Sequence, residues 1–201
     1  PDYQVHIKTE APRWLLEQVT ESEVIIDPVT CDVGCIQRNN HDVDSEATIE
    51  AYLQQSKTNI KRLESELTYI SQHNVQLIVS DIASFPFRIA REASIPSIYV
   101  GNFTWKGIYQ DFMPDRNHPA LQELHEEYQM ATKSLITPLA MEMPELPNQI
   151  NINLIARKGK NLSSEIREAY NIPPKNKLVF FYTGNRGVEF VQPEYIEQFK
   201  G

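Results

Sequence analysis

Two polar residues stand directly behind short apolar runs: Asp81 after Leu77-Ile78-Val79-Ser80, and Asn102 after Ser97-Ile98-Tyr99-Val100-Gly101. In an open parallel sheet, ligands bind outside the carboxyl ends of the strands, so residues at such places are candidates for contact with a substrate. Asp81 could take a proton from a sugar hydroxyl or accept hydrogen bonds from two hydroxyls. The same residue type also caps helices, and a helix starting near Ser84 offers it that use. Glu10 follows the first strand; beside Pro12, a carboxylate there also matches the positive end of a helix dipole. Phe103, Trp105 and Tyr109 come just after Asn102. Aromatic faces suit the C–H faces of a sugar ring, and they also complete cores. Glu10, Asp81, Asn102 and Trp105 are therefore the candidate substrate contacts, with Asp81 the candidate catalytic group.

Further along, Gly184-Asn185-Arg186-Gly187 follows another apolar run. Backbone amides of a Gly-containing turn after a strand can cradle phosphate, and the same pattern also makes plain tight loops. Cys31-x-x-x-Cys35 with His41 nearby lacks the second half of a zinc site, so free, partly buried thiols are the expectation. His6, His73, His118 and His125 fall in different elements without a neighbouring nucleophile. The sequence holds no nucleophile elbow, no Walker loop and no Gly-x-Gly-x-x-Gly fingerprint, which argues against serine-hydrolase, P-loop and Rossmann oxidoreductase chemistry.

These candidates need a scaffold that lines up strand ends. Apolar runs predict strands at Tyr3–Lys8, Val24–Asp27, Leu77–Ser80, Ser97–Gly101, Ser134–Thr137, Ile152–Ala156 and Leu178–Thr183. Helical patterns lie between them at Pro12–Thr20, Ser45–Gln72, Phe85–Ala93, Gly107–Ala131 and Ser163–Tyr170. This alternation predicts an α/β fold, a Rossmann-like doubly wound sheet that is mostly parallel. In the long helix, Ile49, Leu53, Ile60, Leu63, Leu67 and Ile70 form one stripe. Asp44 or Ser45 suits its cap and Asn74 its left-handed stop, while Lys57, Lys61, Arg62, Glu64 and Glu66 read as a solvated face. Ser84 is the expected N-cap of the next helix. The stretch from Pro138 to Asn151 carries three prolines and reads as a loop; a boundary falls between Arg157 and Lys177, around the proline pair Pro173-Pro174.

The 201 residues suit one domain or one with part of a second. A hydrophobic share of 41% and a charged share of 23% fit a globular chain rather than a disordered one. The formal charge of −8, with scattered Lys and Arg, argues against a nucleic-acid partner. No apolar run approaches the ~20 residues of a membrane span. Two cysteines fit a reducing compartment, so a cytoplasmic location is the expectation.

Four runs resemble a known family: Thr9–Val19 (TEAPRWLLEQV), Val24–Asp44 (VIIDPVTCDVGCIQRNNHDVD), Leu77–Tyr109 (LIVSDIASFPFRIAREASIPSIYVGNFTWKGIY) and the LIARKG turn at Leu154–Gly159. They are similar to the glycosyltransferase-like N-terminal half of plant L-arabinokinases and related proteins of the GT-B fold. That resemblance implies two Rossmann-like domains facing a cleft. Residues 1–157 would be most of the acceptor-side domain, 158–177 a linker with a short helix, and 178–201 the opening of the donor-side domain. The first strand of the acceptor-side domain would precede Pro1, and most of the donor-side domain would follow. The implied activity is transfer of a sugar from a nucleotide sugar, the donor substrate of the intact protein, to a sugar or glycosylated acceptor. Gly184 and Asn185 would begin the donor-phosphate loop, no cofactor being implied for the fragment itself. The alternative is a non-catalytic, sugar-sensing module fused to a sugar kinase. With a central strand absent, Tyr3–Lys8 and Leu77–Ser80 must either pair directly or keep open edges, and the isolated piece is expected to be poorly stable or to self-associate.

Overall fold

A computed structural model describes residues 3–17, 24–39, 42–113 and 115–179. The chain forms two compact units, Pro1–Ile36 with Asp44–Leu154, and Gln37–Val43 with Ile155–Gly201. In the first unit the described elements run β1 (Val5–Lys8), α1 (Arg13–Glu17), β2 (Val24–Asp27), α2 (Ser45–Gln72), β3 (Ile78–Asp81), α3 (Phe85–Glu92), β4 (Ser97–Gly101), α4 (Trp105–Phe112), α5 (Pro119–Gln129), β5 (Lys133–Ile136) and β6 (Gln149–Asn151). The second unit holds α6 (Ser163–Ala169) and an antiparallel bridge between Gln37 and Val43.

Every described ladder is parallel. β1 pairs with β2, and β3, β4, β5 and β6 follow in that order in a separate four-stranded sheet. The α/β class with parallel sheets flanked by helices follows from the alternation of apolar runs and helical periods. β1 and β3 do not pair with each other, which settles the two alternatives in favour of open edges among the described residues.

α2 begins and ends where its signals place it. Asp44 accepts the Ala47 N–H at 3.0 Å, and Asn74 takes a left-handed φ of 48° just past the end. Its inner face differs from the expected stripe. Ile60 is 54% exposed, while Thr48, Ser56, Asn59 and Glu66 are buried. Arg62 and Glu66, expected on the solvated face, turn inward: Glu66 meets Lys8 of β1 at 2.9 Å, and Arg62 donates to the Thr30 carbonyl at 2.8 Å. The buried polar groups are held by partners, which offsets their desolvation.

The core centres on aromatic side chains from three elements. Phe87 of α3 packs against Tyr99 of β4 and Tyr128 of α5, with ring centroids 6.2 and 6.1 Å apart, and Tyr99 meets Tyr128 edge to face. Pairs of this kind contribute about 0.5–1.5 kcal/mol each beyond area burial. A smaller cluster of Ile70, Phe85 and Ile89 ties α2 to α3, with Leu63, Leu67 and Ile78 against it.

Two expected elements are corrected, and a third lies mostly outside the described residues. The single helix Gly107–Ala131 is two helices: α4 ends at Met113 in an extended conformation, and α5 restarts behind His118, whose Nδ1 accepts the Ala120 N–H, with Pro119 in its first turn. A proline is favoured in a first turn because its missing N–H is one of the unpaired donors there. The strand expected at Ile152–Ala156 is not formed; the sixth strand is Gln149–Asn151, in the stretch read as loop, where Ser134, Leu135 and Ile136 pair with it. Of the strand expected at Leu178–Thr183, residues 178 and 179 are irregular and the rest lies outside the described residues.

Candidate ligand-binding crevice

The carboxyl ends of β2, β3 and β4 are drawn together by side chains from the helices behind them. The loop after β2 is held by its backbone. Thr30's carbonyl accepts from Arg62 Nη1 at 2.8 Å and Gln55 Nε2 at 3.3 Å, Gly34's accepts from the Tyr109 hydroxyl at 2.8 Å, and the Ile36 N–H donates to Thr48 Oγ1 at 3.0 Å. Four separate anchors on seven residues place Asp32 firmly. Its Oδ2 accepts the Trp105 indole N–H at 2.6 Å.

One residue fastens the next two strand ends. The buried Tyr128 hydroxyl donates to the Ile82 carbonyl at 2.8 Å and accepts the Trp105 N–H at 3.0 Å, joining the loop after β3 to the start of α4. Ile82 itself has φ of 69°, a conformation that costs a β-branched residue about 1–3 kcal/mol. Its neighbour across the sheet, Gly101, is required by space. A Cβ there would lie 2.6 Å from the Tyr99 hydroxyl and 2.9 Å from Ile82 Cγ1. That same hydroxyl donates to the Phe103 carbonyl at 2.5 Å. Thr104 caps α4, accepting the Gly107 N–H at 3.1 Å while donating to the buried Glu145.

Asp81 is the last residue of β3, exposed, and three positions ahead of the α3 N-cap. The N-cap position of α3 belongs to Ser84, so Asp81 is not the cap residue of that helix. Ser84 occupies the N-cap position without capping; its hydroxyl donates instead to Glu127 Oε2 at 2.6 Å. Asp32 senses the charge of Asp81. Burial pushes the Asp32 carboxyl above its ordinary range, the indole bond pulls it back, and the Asp81 charge pushes it further up. The charge on Asp81 also adds to the burial that raises the Tyr99 phenol.

Asn102 is half-buried at the end of the adjacent strand, with its backbone carbonyl accepting the Met141 N–H at 2.9 Å. Trp105 is half-buried, stacked 5.6 Å from Tyr109 and edge-on to Phe103 at 5.1 Å. Tyr109 is wholly buried and belongs to the core. Glu10 is exposed and accepts from Thr30 Oγ1 at 2.5 Å, linking the loops after β1 and β2. Gly184 and Asn185 lie outside the described residues. Cys31 and Cys35 are free thiols, half-buried, and burial raises both.

Behind Asp32 and Trp105 a small cavity opens between α2 and α5, lined by Ser56, Asn59, Ser84, Glu123 and Glu127 among others. Glu123 accepts from Ser56 Oγ at 2.7 Å. Glu127 is 4% exposed, and burial pushes its carboxyl up to about 7 against the opposing pull of Ser84 and Arg88. Arg88 Nε lies 3.2 Å from Glu127 Oε1 but forms no aligned hydrogen bond with it, which leaves burial in command.

Sequence reasoning missed Asp32, Glu127 and the polar inner face of α2. For α2 there was a signal: Thr48, Tyr52, Ser56 and Asn59 recur at helical spacing alongside the apolar stripe. Asp32 had none, because its position follows from a bond to a residue 73 places away.

No protein-family model matches the chain, and no solved structure matches it. L-arabinokinase from Arabidopsis thaliana is 24% identical over 189 residues, which cover 92% of this chain and 18% of that protein. The chain thus spans less than a fifth of the length of the curated relative that it matches, and the similarity supports a distant, sugar-kinase-related kinship.

Proposed function

We propose that the strand-end crevice binds a small sugar, as the acceptor side of a glycosyltransferase-like module within a larger, sugar-kinase-related protein. The observation that carries this is the Asp32 carboxylate in the loop after β2, bonded to the Trp105 indole and within reach of the charge of Asp81, which ends β3. Carboxylates accept from paired sugar hydroxyls, and an indole covers the apolar face of a ring. The name of the relative ties that protein to L-arabinose, which supports a sugar as the ligand class.

In the transferase form of this reading, the acceptor hydroxyl sits beside Asp81 and Asn102. Asp81 receives its proton as the oxygen attacks the anomeric carbon of a nucleotide sugar. The bond from that carbon to the phosphate oxygen breaks, and the nucleotide leaves with the electron pair. The donor is held by a donor-side domain opening near residue 178, with the phosphate charge met by amides around Gly184 and Asn185. A second reading, a sugar-sensing module that does no chemistry, draws support from the match to a kinase over 18% of its length.

Calorimetric titration of the full-length protein with L-arabinose and other free sugars, and then with nucleotide sugars, separates these outcomes. Sugar binding that is weakened at least tenfold by Asp81→Asn supports the crevice. Transfer or hydrolysis of a nucleotide sugar, lost in the same variant, supports the transferase; binding without turnover supports the sensor. Absence of binding by any sugar refutes the proposal.

A further inference from the structure

Six described residues other than glycine hold a positive φ. Asn74, Ser94 and Asn171 stop helices, and Asn148 stands one place ahead of β6. Those are routine uses, since a helix stop calls for the left-handed region and Asn is enriched there. The other two, Ile82 and Leu139, are bulky and apolar, and each stands just past the carboxyl end of a strand, β3 and β5 respectively. Ile82 is fixed from within: Tyr128 donates to its carbonyl, and its side chain sits against Gly101. Leu139 has a φ of 63° and a side chain 96% exposed, the highest exposure among the large apolar residues described. Exposed leucines are ordinary on a protein surface. A leucine held in a conformation that glycine or asparagine takes at less cost is not.

The loop that carries Leu139 is tied down on both sides. The Thr137 N–H donates to the Gly101 carbonyl at 3.0 Å, and the Met141 N–H to the Asn102 carbonyl at 2.9 Å. Pro138 fixes one of the intervening φ angles, and the Met141 side chain packs on the core. Two anchors on consecutive residues at the end of β4 therefore hold Pro138, Leu139 and Ala140 beside Asn102. Along this edge of the sheet the residues change from polar to apolar. Asp81 closes β3, Asn102 and the half-buried Phe103 follow β4, and the exposed Pro138, Leu139 and Ala140 follow β5. Two strand spacings, roughly 10 Å, separate the carboxylate end from the leucine end. That span is longer than one sugar ring.

We propose that the crevice takes a sugar carrying an apolar substituent, a glycoside with a hydrocarbon aglycone, and that Leu139 is the residue that meets the aglycone. This rests on the sugar reading and adds to it the class of sugar derivative. The sugar lies toward Asp81 and Asn102, and the aglycone runs along the β4–β5 side. A protein partner does not suit this tip: three exposed apolar residues fall far short of the roughly 20–30 residues a side of a stable interface. A hydrocarbon group needs only a few apolar contacts, and the strained, doubly anchored backbone holds one of them already in place.

Calorimetric titration of the full-length protein with the methyl and octyl glycosides of L-arabinose, kept below micelle-forming concentrations, tests this. The parent is expected to bind the octyl glycoside at least about tenfold more tightly than the methyl one. Leu139→Gly and Leu139→Asn both suit the left-handed backbone, and both remove the leucine side chain. Each should cut the octyl advantage to about threefold or less while moving methyl glycoside affinity by no more than about twofold. Neither should lower the midpoint of denaturant unfolding. An octyl glycoside that binds no better than the methyl one overturns the aglycone and leaves the sugar standing. So does an octyl advantage that survives in both variants. A lower unfolding midpoint in both variants also overturns it, because Leu139 is then packed against another part of the protein. Binding of neither glycoside refutes the sugar reading itself, and this inference with it.

Discussion

Glu127 offers the sharpest test of how the helices behind the crevice are held together. Its carboxyl is pushed from 4.5 up to about 7, chiefly by burial, with Ser84 and Arg88 opposing and Glu123 adding to the rise. The folded state therefore binds this proton more tightly than the unfolded chain does. The corresponding stabilisation is fully present below pH 4.5 and is lost as pH rises through 7. At about 1.4 kcal/mol for each tenfold difference in proton affinity, the loss amounts to roughly 3 kcal/mol. Glu127→Gln keeps the shape and the acceptor for Ser84 but cannot ionise. The assay is exchange of the α5 amides of Leu124 and Tyr128 in the full-length protein, followed from about pH 4.5 to pH 8 and converted to opening free energies. The parent should lose about 3 kcal/mol relative to the variant across that range, so that the variant gains ground as pH rises. Profiles that stay parallel would show that Glu127 is already ionised at low pH, and the argument from its burial and its poorly aimed Arg88 partner would be refuted.

Two other substitutions probe the crevice itself. Trp105→Phe keeps the ring stack on Tyr109 but removes the indole bond to Asp32; thermal unfolding should show a loss of about 1–3 kcal/mol, with sugar affinity falling alongside. Gly101→Ala drives a methyl group into the Tyr99 hydroxyl and Ile82, and it should cost about 1–3 kcal/mol in denaturant unfolding; an unchanged midpoint would contradict the contact distances.

The fold was largely legible in the residues because its signals are local. α2 is bracketed by Asp44 and Asn74, and β2 and β4 are short apolar runs between polar punctuation. The division of the segment around Pro119 was missed because the apolar pattern continues across it, while the break depends on the extended backbone at Met113. β6 was missed because Gln149-Ile150-Asn151 has no strand character of its own and is recruited by the edge of β5. The candidate site was legible only in outline. Asp81 and Asn102 follow from the strand-end rule, whereas Asp32, Ser84 and Glu127 depend on partners 43 to 73 residues away. Polar residues on the buried side of a helix look like surface until the groups that satisfy them are seen.

Arg62 and Gln55 grip the loop after β2 through the main-chain oxygen of Thr30, and Arg62 Nη2 also reaches Cys31 Sγ at 4.0 Å. Every residue type presents that oxygen, so position 30 can drift without loosening the grip, whereas Arg62, which also covers the Phe85 ring at 5.2 Å, has no equivalent substitute. Divergence in this protein's relatives should accordingly be lopsided: looser at position 30, where a change gives up only the hydroxyl link to Glu10, and restrained on the helix turn that holds it.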